Sequence, residues 1–150
     1  MPHTVLCPRL VFSCPCCNLE SLIQREFGDV YHFATPAAVV EPIDTERSVE
    51  LMQLVTTARI REICIIGSPD CSFVKRALKS TFVPDVAHDA VIRKFRVPSD
   101  RGYTLSRKLI RNQAIALREA LRTAASVASG AIQVRGILAC GTTHRFLDVR

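Results

Sequence analysis

Long hydrophobic runs are absent from this sequence, and so is a typical export signal. The unbroken apolar stretches are far shorter than the roughly 20 residues that a membrane-spanning helix needs. Residues 1–9 also lack the charged start and the apolar segment of a signal peptide. We therefore expect a soluble protein of the cytoplasm with no membrane association.

Several common catalytic and nucleotide-binding motifs are missing as well. The sequence contains neither a Walker-type loop nor a Gly-x-Gly-x-x-Gly loop, which argues against the common routes to nucleotide binding. Ser68 follows Gly67, but no Gly-x-Ser-x-Gly elbow surrounds it. A serine hydrolase is therefore not expected.

Composition and charge limit the number of domains and the kinds of partner that we expect. Nearly half of the 150 residues are hydrophobic, which is enough to bury one core, so we expect a single domain over residues 1–150. The formal net charge is +6. Four arginines recur on one stripe of a predicted helix, namely Arg107, Arg111, Arg118 and Arg122. No aromatic residues interleave with them, so nucleic-acid binding is not expected. A solvated helix face is the favoured interpretation, and an anionic partner is the alternative.

The sequence contains seven cysteines, an odd number, which is unusual for a disulfide-bonded protein. They fall within strand-like and helix-like segments, so disulfides are not expected. Cys64 alternates with apolar residues in a strand and is predicted to be a small core residue. Four others need a different explanation: Cys14, Cys16, Cys17 and Cys71.

The hydrophobic pattern alternates between strands and helices. Strands are predicted at residues 10–13, 30–33, 62–66, 131–138 and 145–149, and helices at residues 20–27, 45–57, 71–79 and 105–128. The second helix is expected to bury Val49, Leu51, Met52 and Val55, and Gly130 is expected to end the fourth. Residues 82–100 are predicted to be an irregular surface segment. This alternation indicates an α/β fold with a mostly parallel sheet and an antiparallel edge at the C-terminus.

Four segments in this order resemble the β-class carbonic anhydrases. Residues 10–14 are similar to the strand that delivers the family's first zinc cysteine, and residues 28–33 are similar to its Gly-Asp strand. Residues 48–78 resemble its central helix-strand-helix block, and residues 134–138 its closing strand. The resemblance implies a central sheet of four to five strands flanked by helices, zinc as cofactor, carbon dioxide or bicarbonate as substrate, and a homodimer.

Most of the family's catalytic residues are replaced. Ser68 stands in the place of the ligand histidine, and Cys71 keeps the cysteine of that motif. Cys16 and Asn18 stand where the family has its Asp-Arg pair, and residues 34–37 replace an Arg-Asn-Ala-Gly turn. No residue is therefore assigned a catalytic role, and carbon dioxide hydration is expected to be weak or absent.

The remaining thiols form the candidate metal site. Cys14, Cys16 and Cys71 are predicted at the carboxyl ends of adjacent parallel strands, where open α/β sheets collect their ligand-binding residues. Three thiolates there could hold zinc, with water or Cys17 in the fourth position, although the spacing leaves open which N-terminal cysteines are ligands.

Other residues and other functions are also considered. Ser68, Asp70 and Asn18 are expected to line the site, and Asp70 is expected to cap the following helix. His32 is expected to be a cross-strand or surface residue. The alternatives to a zinc protein are a thiol redox protein, a noncatalytic binding or scaffold protein on the same fold, and cysteines that only fill space.

Overall fold

A mostly parallel sheet lies at the centre of the fold. The computed structural model describes residues 8–41, 44–85, 87–124, 132–140 and 142–150. In these residues five strands form one sheet: β1 (Arg9–Ser13), β2 (Tyr31–Ala34), β3 (Glu62–Gly67), β4 (Gln133–Cys140) and β5 (Arg145–Val149). Their order is β2-β1-β3-β4-β5, and only β5 is antiparallel to its neighbour. The predicted fold class is confirmed.

Helices connect and cover the strands. They are α1 (Glu20–Phe27), α2 (Thr45–Thr57), α3 (Ser72–Ala77), α4 (Ala87–Phe95) and α5 (Gly102–Ala124). The Asp44 carboxylate accepts a 2.8 Å hydrogen bond from the Arg47 backbone N–H and so caps α2. Within the described ranges, no helix combines the length and the apolar character needed to cross a bilayer.

The two faces of the sheet bury different helices. Leu10, Ile63 and Val134 point to the face covered by α2 and α5, and Val11, Cys64 and Ile137 to the face covered by α1. This alternation follows from the two-residue period of a strand, and its apolar character on both faces is typical of a strand buried between helices.

Helix α5 lies unusually close to the sheet at two glycines. A Cβ atom added to Gly67 would be 2.7 Å from Ile110 Cδ1, and one added to Gly136 would be 2.9 Å from Ile110 Cγ2. Both glycines therefore leave the space that Ile110 fills. This contact fixes α5 against the end of β3 and the middle of β4.

The prediction of an irregular surface segment at residues 82–100 is wrong, because α4 lies within it. Pro84 and Pro98 flank this helix and do not interrupt it. Tertiary contacts hold it: Ile92 is fully buried, and the buried Asp89 forms an ion pair with Arg76 of α3. Such contacts between distant segments are not visible in a local hydrophobic pattern.

Smaller differences concern the helix limits. Val49 is 46% exposed, so its predicted burial is wrong, whereas Val55 is buried and Leu51 and Met52 are partly buried. Helix α5 begins three residues before its predicted start, and α3 is shorter than predicted at both ends. Residues 125–131, which include Gly130 and the predicted start of β4, lie outside the described residues.

An ionic network crosses four strands at the end of the sheet where β1 and β3 begin. Glu62 accepts a 2.8 Å hydrogen bond from Arg9 and a 2.6 Å bond from Arg135, and Arg135 also donates to Asp148 at 2.8 Å. Burial alone would raise the pKa of Glu62, but the hydrogen bonds from Arg135 and Arg9 outweigh it and hold that pKa below its usual value. The network therefore stabilises the folded state while Glu62 is ionised.

The substitution Glu62→Gln tests this network. Because the folded pKa is depressed, the contribution of Glu62 is present above its unfolded pKa of about 4.3 and is lost as the pH falls through the folded value. At pH 7 we expect the variant to lose about 1–3 kcal/mol of unfolding free energy, since it weakens charge-assisted bonds. At a pH below the unfolded pKa the difference between the two proteins should shrink. Urea denaturation measures the unfolding free energy at both pH values, and Glu26→Gln on the exposed side of α1 is the control. An equal loss at both pH values would contradict the proposed role of Glu62 in the network.

Candidate metal centre

The parallel pairing of β1 and β3 brings two distant cysteines together. Ser13, the last residue of β1, is in register with Ile66 near the end of β3. Cys14 follows β1 directly, and Cys71 immediately precedes α3. Their Sγ atoms lie 3.7 Å apart, although 57 positions separate them in the sequence. This juxtaposition agrees with the sequence prediction that both strand ends meet in one place.

A 3-10 turn at Pro15–Cys17 adds the other two sulfur atoms. The Cys17 backbone N–H donates to the Cys14 carbonyl at 3.3 Å, and Asn18 ends the turn in the left-handed conformation with φ of 50°. Cys16 Sγ lies 3.0 Å from Cys14 Sγ, 3.8 Å from Cys71 Sγ and 3.9 Å from Cys17 Sγ. All four sulfur atoms lie within 4.8 Å of one another, and the group could hold a metal ion. We call these four residues the thiol cluster.

The thiol cluster is buried on one side and open on the other. Cys14 and Cys71 are each 1% exposed, Cys17 is half-buried, and Cys16 is exposed. The void behind Cys14 and Cys71, which Ser68 and Ser106 also border, has no room for a water molecule. Solvent therefore reaches the cluster from the Cys16 side.

The four thiols do not ionise independently. Hydrogen bonds from the thiols of Cys17 and Cys71 hold the pKa of Cys14 far below its usual value. Conversely, the interaction with Cys14 raises the pKa of Cys17 and raises that of Cys71 to about 12. Ionisation of one thiol therefore disfavours ionisation of its neighbours, because the sulfur atoms lie close together.

Backbone amides support the two buried sulfur atoms. Hydrogen bonding from the backbone of Ala37 lowers the pKa of Cys14, and that from Val74 lowers the pKa of Cys71. Ala37 and Ala38 both adopt left-handed conformations, with φ of 55° and 56°. Glycine adopts this conformation freely, whereas a residue with a Cβ atom adopts it at a cost of about 1–2 kcal/mol.

Ser68 and Asp70 shape the neighbouring turn. Ser68 is buried; its carbonyl accepts hydrogen bonds from the Cys71 backbone at 3.2 Å and from Ser106 Oγ at 3.1 Å. Its hydroxyl accepts from the Asp70 backbone at 3.2 Å. The prediction that Asp70 caps α3 is wrong, because the N-cap is Cys71 and no side chain bonds there. Asp70 is exposed, with its carboxylate 3.9 Å from Lys75 Nζ.

Other candidate residues lie outside the thiol cluster. His32 is exposed on β2 and contacts the buried Ser13 of β1, with 2.5 Å between Nε2 and Oγ, which fits the predicted cross-strand position. Sequence reasoning missed Ser13 because a serine at the end of a strand carries no signal of its own. Cys140 is hydrogen-bonded to Thr142, and the hydroxyls of Thr142 and Thr143 lower its pKa to about 7.

The arginine stripe of α5 faces solvent. All four of its members are exposed: Arg107, Arg111, Arg118 and Arg122. Arg118 donates to the Val134 carbonyl at 2.6 Å, and Arg122 pairs with Glu119 at 3.2 Å. The stripe therefore has the features of a solvated helix face.

Solved structures of similar fold are β-carbonic anhydrases. CafA of Aspergillus fumigatus is 16% identical over 95% of this chain and 75% of its own, with a TM-score of 0.73. The Coccomyxa enzyme in complex with acetazolamide is 15% identical over 95% and 72%, with a TM-score of 0.74. One of two tetrameric enzymes from Sordaria macrospora is 16% identical over 95% and 81%, with a TM-score of 0.69. No protein-family model and no curated protein matches the chain.

The chain therefore has the fold of the β-carbonic anhydrases. The low identities fit a divergent version of that fold. Its particular feature is a cluster of four cysteines where the resemblance leads one to expect two cysteines and a histidine.

Proposed function

We propose that the protein binds one zinc ion through Cys14, Cys16, Cys17 and Cys71 as a closed thiolate centre. The observation that carries the proposal is the spacing of the sulfur atoms. Zinc binds thiolates at about 2.3 Å, so the sulfur atoms of a tetrahedral site lie about 3.8 Å apart. Three of the four separations given above, at 3.7, 3.8 and 3.9 Å, agree with that value, and the Cys14–Cys16 separation of 3.0 Å is shorter.

The chemistry of the donor set also supports zinc. Cysteine sulfur is a soft ligand, and tetrahedral sites of four cysteines are typical of structural zinc. A divalent cation offsets the charge of the additional thiolates, which the metal-free cluster resists. The backbone amides of Ala37 and Val74 favour the anionic form of Cys14 and Cys71 further. Zinc would join the turn after β1 to the start of α3 and so stabilise both.

The same ligand set argues against carbon dioxide hydration. A hydrating zinc centre needs a coordination position left open for water, and the metal must lower the pKa of that water to about 7. Four thiolates fill a tetrahedron, and each adds negative charge that opposes such a shift. In addition, Ser68 is engaged in the turn before α3, and Asn18 cannot supply the charge of an arginine. We therefore propose that hydration is weak or absent.

The proposed location and assembly follow from related observations. Thiolates that hold zinc need to stay reduced, which favours the cytoplasm. The Sordaria macrospora structures are described as tetrameric, and we propose that this chain associates at least as a homodimer. Every residue of the edge strand β2 is exposed, including Tyr31 and Phe33 at 48% each. An open edge with large apolar side chains is a surface that proteins usually cover.

Metal content tests the zinc centre. Elemental analysis of the purified wild type should find about one zinc ion per chain. Cys71→Ala should lower the zinc affinity by roughly 100-fold or more, because changing even an outer partner of a metal ligand costs roughly 10- to 100-fold. Cys64→Ala is the matched control, since Cys64 is equally buried but lies in the core. A folded wild type without metal, or zinc retained by Cys71→Ala, would contradict the proposal.

Stopped-flow measurement of carbon dioxide hydration tests the second part. The zinc-loaded protein should show little acceleration over the uncatalysed reaction, because no ligand position is open to water. A β-carbonic anhydrase assayed in parallel provides the reference. A rate within about tenfold of that reference would show that the closed centre is incorrectly assigned.

Light scattering coupled to size exclusion tests the assembly. Wild type should elute at the mass of a dimer or a larger oligomer, and Tyr31→Lys should shift it toward the monomer because a charge would be buried at the β2 edge. Leu147→Lys places the same charge on the 50% exposed Leu147 of β5 and should leave the mass unchanged. A monomeric wild type would refute the dimer, and equal effects of both substitutions would refute the β2 interface.

A further inference from the structure

Of the four sulfur separations given above, the one between Cys14 and Cys16 is the shortest. Their Sγ atoms are 3.0 Å apart, whereas the other measured pairs are 3.7 to 3.9 Å apart. Sulfur atoms are about 3.8 Å apart in a zinc tetrahedron and about 2.05 Å apart in a disulfide. The Cys14–Cys16 distance lies between these two values, so the pair needs only a small movement to reach either arrangement.

The two thiols of this pair differ in access to solvent. Cys16 is exposed, and Cys14 is 1% exposed directly beside it. An oxidant from solvent therefore meets the Cys16 sulfur first, and Cys14 is placed to attack the oxidised product. An accessible thiol next to a second, resolving thiol is the arrangement that favours reversible oxidation.

We propose that the thiol cluster has a further activity as an oxidant-responsive centre, in which a hydroperoxide forms the Cys14–Cys16 disulfide and thereby releases the metal. The inference rests on the proposed zinc centre and adds its regulation. The Cys16 thiol is first oxidised to a sulfenic acid, and the peroxide is reduced to water when its O–O bond breaks. The Cys14 sulfur then attacks the Cys16 sulfur and displaces the hydroxyl group as a second water. In sum, two zinc-bound thiolates, one hydrogen peroxide and two protons from solvent give one disulfide and two waters.

The loss of this pair leaves too few ligands. Cys17 and Cys71 remain, and two thiolates cannot complete a tetrahedral zinc site. Release would also separate the Pro15–Cys17 turn from the start of α3, because the metal no longer joins them. A dithiol reductant reverses the step by thiol–disulfide exchange and restores all four ligands.

The experiment follows zinc and disulfide together. Zinc-loaded protein is treated with hydrogen peroxide, released zinc is measured with a colorimetric chelator, and the free thiols are alkylated before trypsin digestion. One tryptic peptide, residues 10–25, carries Cys14, Cys16 and Cys17. The inference expects this peptide to lose two hydrogens and to be alkylated at Cys17, in step with zinc release. Dithiothreitol and added zinc should restore the starting state.

Matched variants separate the pair from the other thiols. Cys16→Ser and Cys17→Ser each remove one ligand, but only Cys16→Ser removes the exposed partner of Cys14. In peroxide, residues 10–25 should lose two hydrogens roughly tenfold or more slowly in Cys16→Ser than in wild type, and Cys17→Ser should still form the disulfide. Both variants are followed by peptide mass, since each lacks one proposed zinc ligand. Cys140→Ser, which removes an accessible thiol outside the cluster, should behave as wild type.

The outcomes distinguish this inference from the proposed function. Protein that contains no zinc after purification and does not take it up would overturn the proposed centre, and the release step with it. Zinc-loaded protein that keeps its metal in peroxide would overturn this inference alone. This inference would also be overturned if zinc release accompanied a Cys16–Cys17 disulfide, with Cys14 alkylated, or if it accompanied a sulfinic acid.

Discussion

The parallel, in-register pairing of β1 with β3 is the constraint on which the site depends. Cys14 and Cys71 meet because each follows a strand that ends at the same edge of the sheet. The pairing is secured on both faces, by α5 at Gly67 and Gly136 and by α1 on the opposite side. A shift of one residue would reverse the facing of every β1 side chain and separate the sulfur atoms.

The proposed zinc centre with four sulfur donors would differ in its chemistry from one that includes a histidine. A neutral nitrogen ligand leaves a zinc centre more positive and better able to acidify water, whereas a fourth thiolate closes the centre and makes it electron-rich. Such a centre loses reactivity toward carbon dioxide and gains reactivity toward oxidants, because the sulfur atoms themselves become the nucleophiles. Because Cys16 is exposed and Cys14 and Cys71 are buried, an oxidant from solvent would reach Cys16 first.

Sequence reasoning recovered the sheet better than the connections. The strands were found because β1 and β3 are apolar on both faces and bounded by turn residues, and β5 was located with its correct limits. Helix α4 was missed because two prolines and scattered charges obscured its apolar face, which is formed by Val91, Ile92 and Phe95. Its ion pair with α3 is likewise not visible in a local pattern. The convergence of Cys14, Cys16 and Cys71 followed from strand order. The position of Cys17 and the role of Ser68 in its turn could not be predicted in this way, because both depend on the local path of the backbone.

The left-handed conformation of Ala37 and Ala38 bears on how such proteins can be recognised. The backbone near Cys14 follows this path with two alanines, although glycine is the residue that ordinarily permits it. A comparison of sequences loses the signal of a glycine at such a position, whereas a comparison of coordinates still detects the backbone path. Proteins of one fold can therefore be recognised by shape where their sequence identity is as low as 15%.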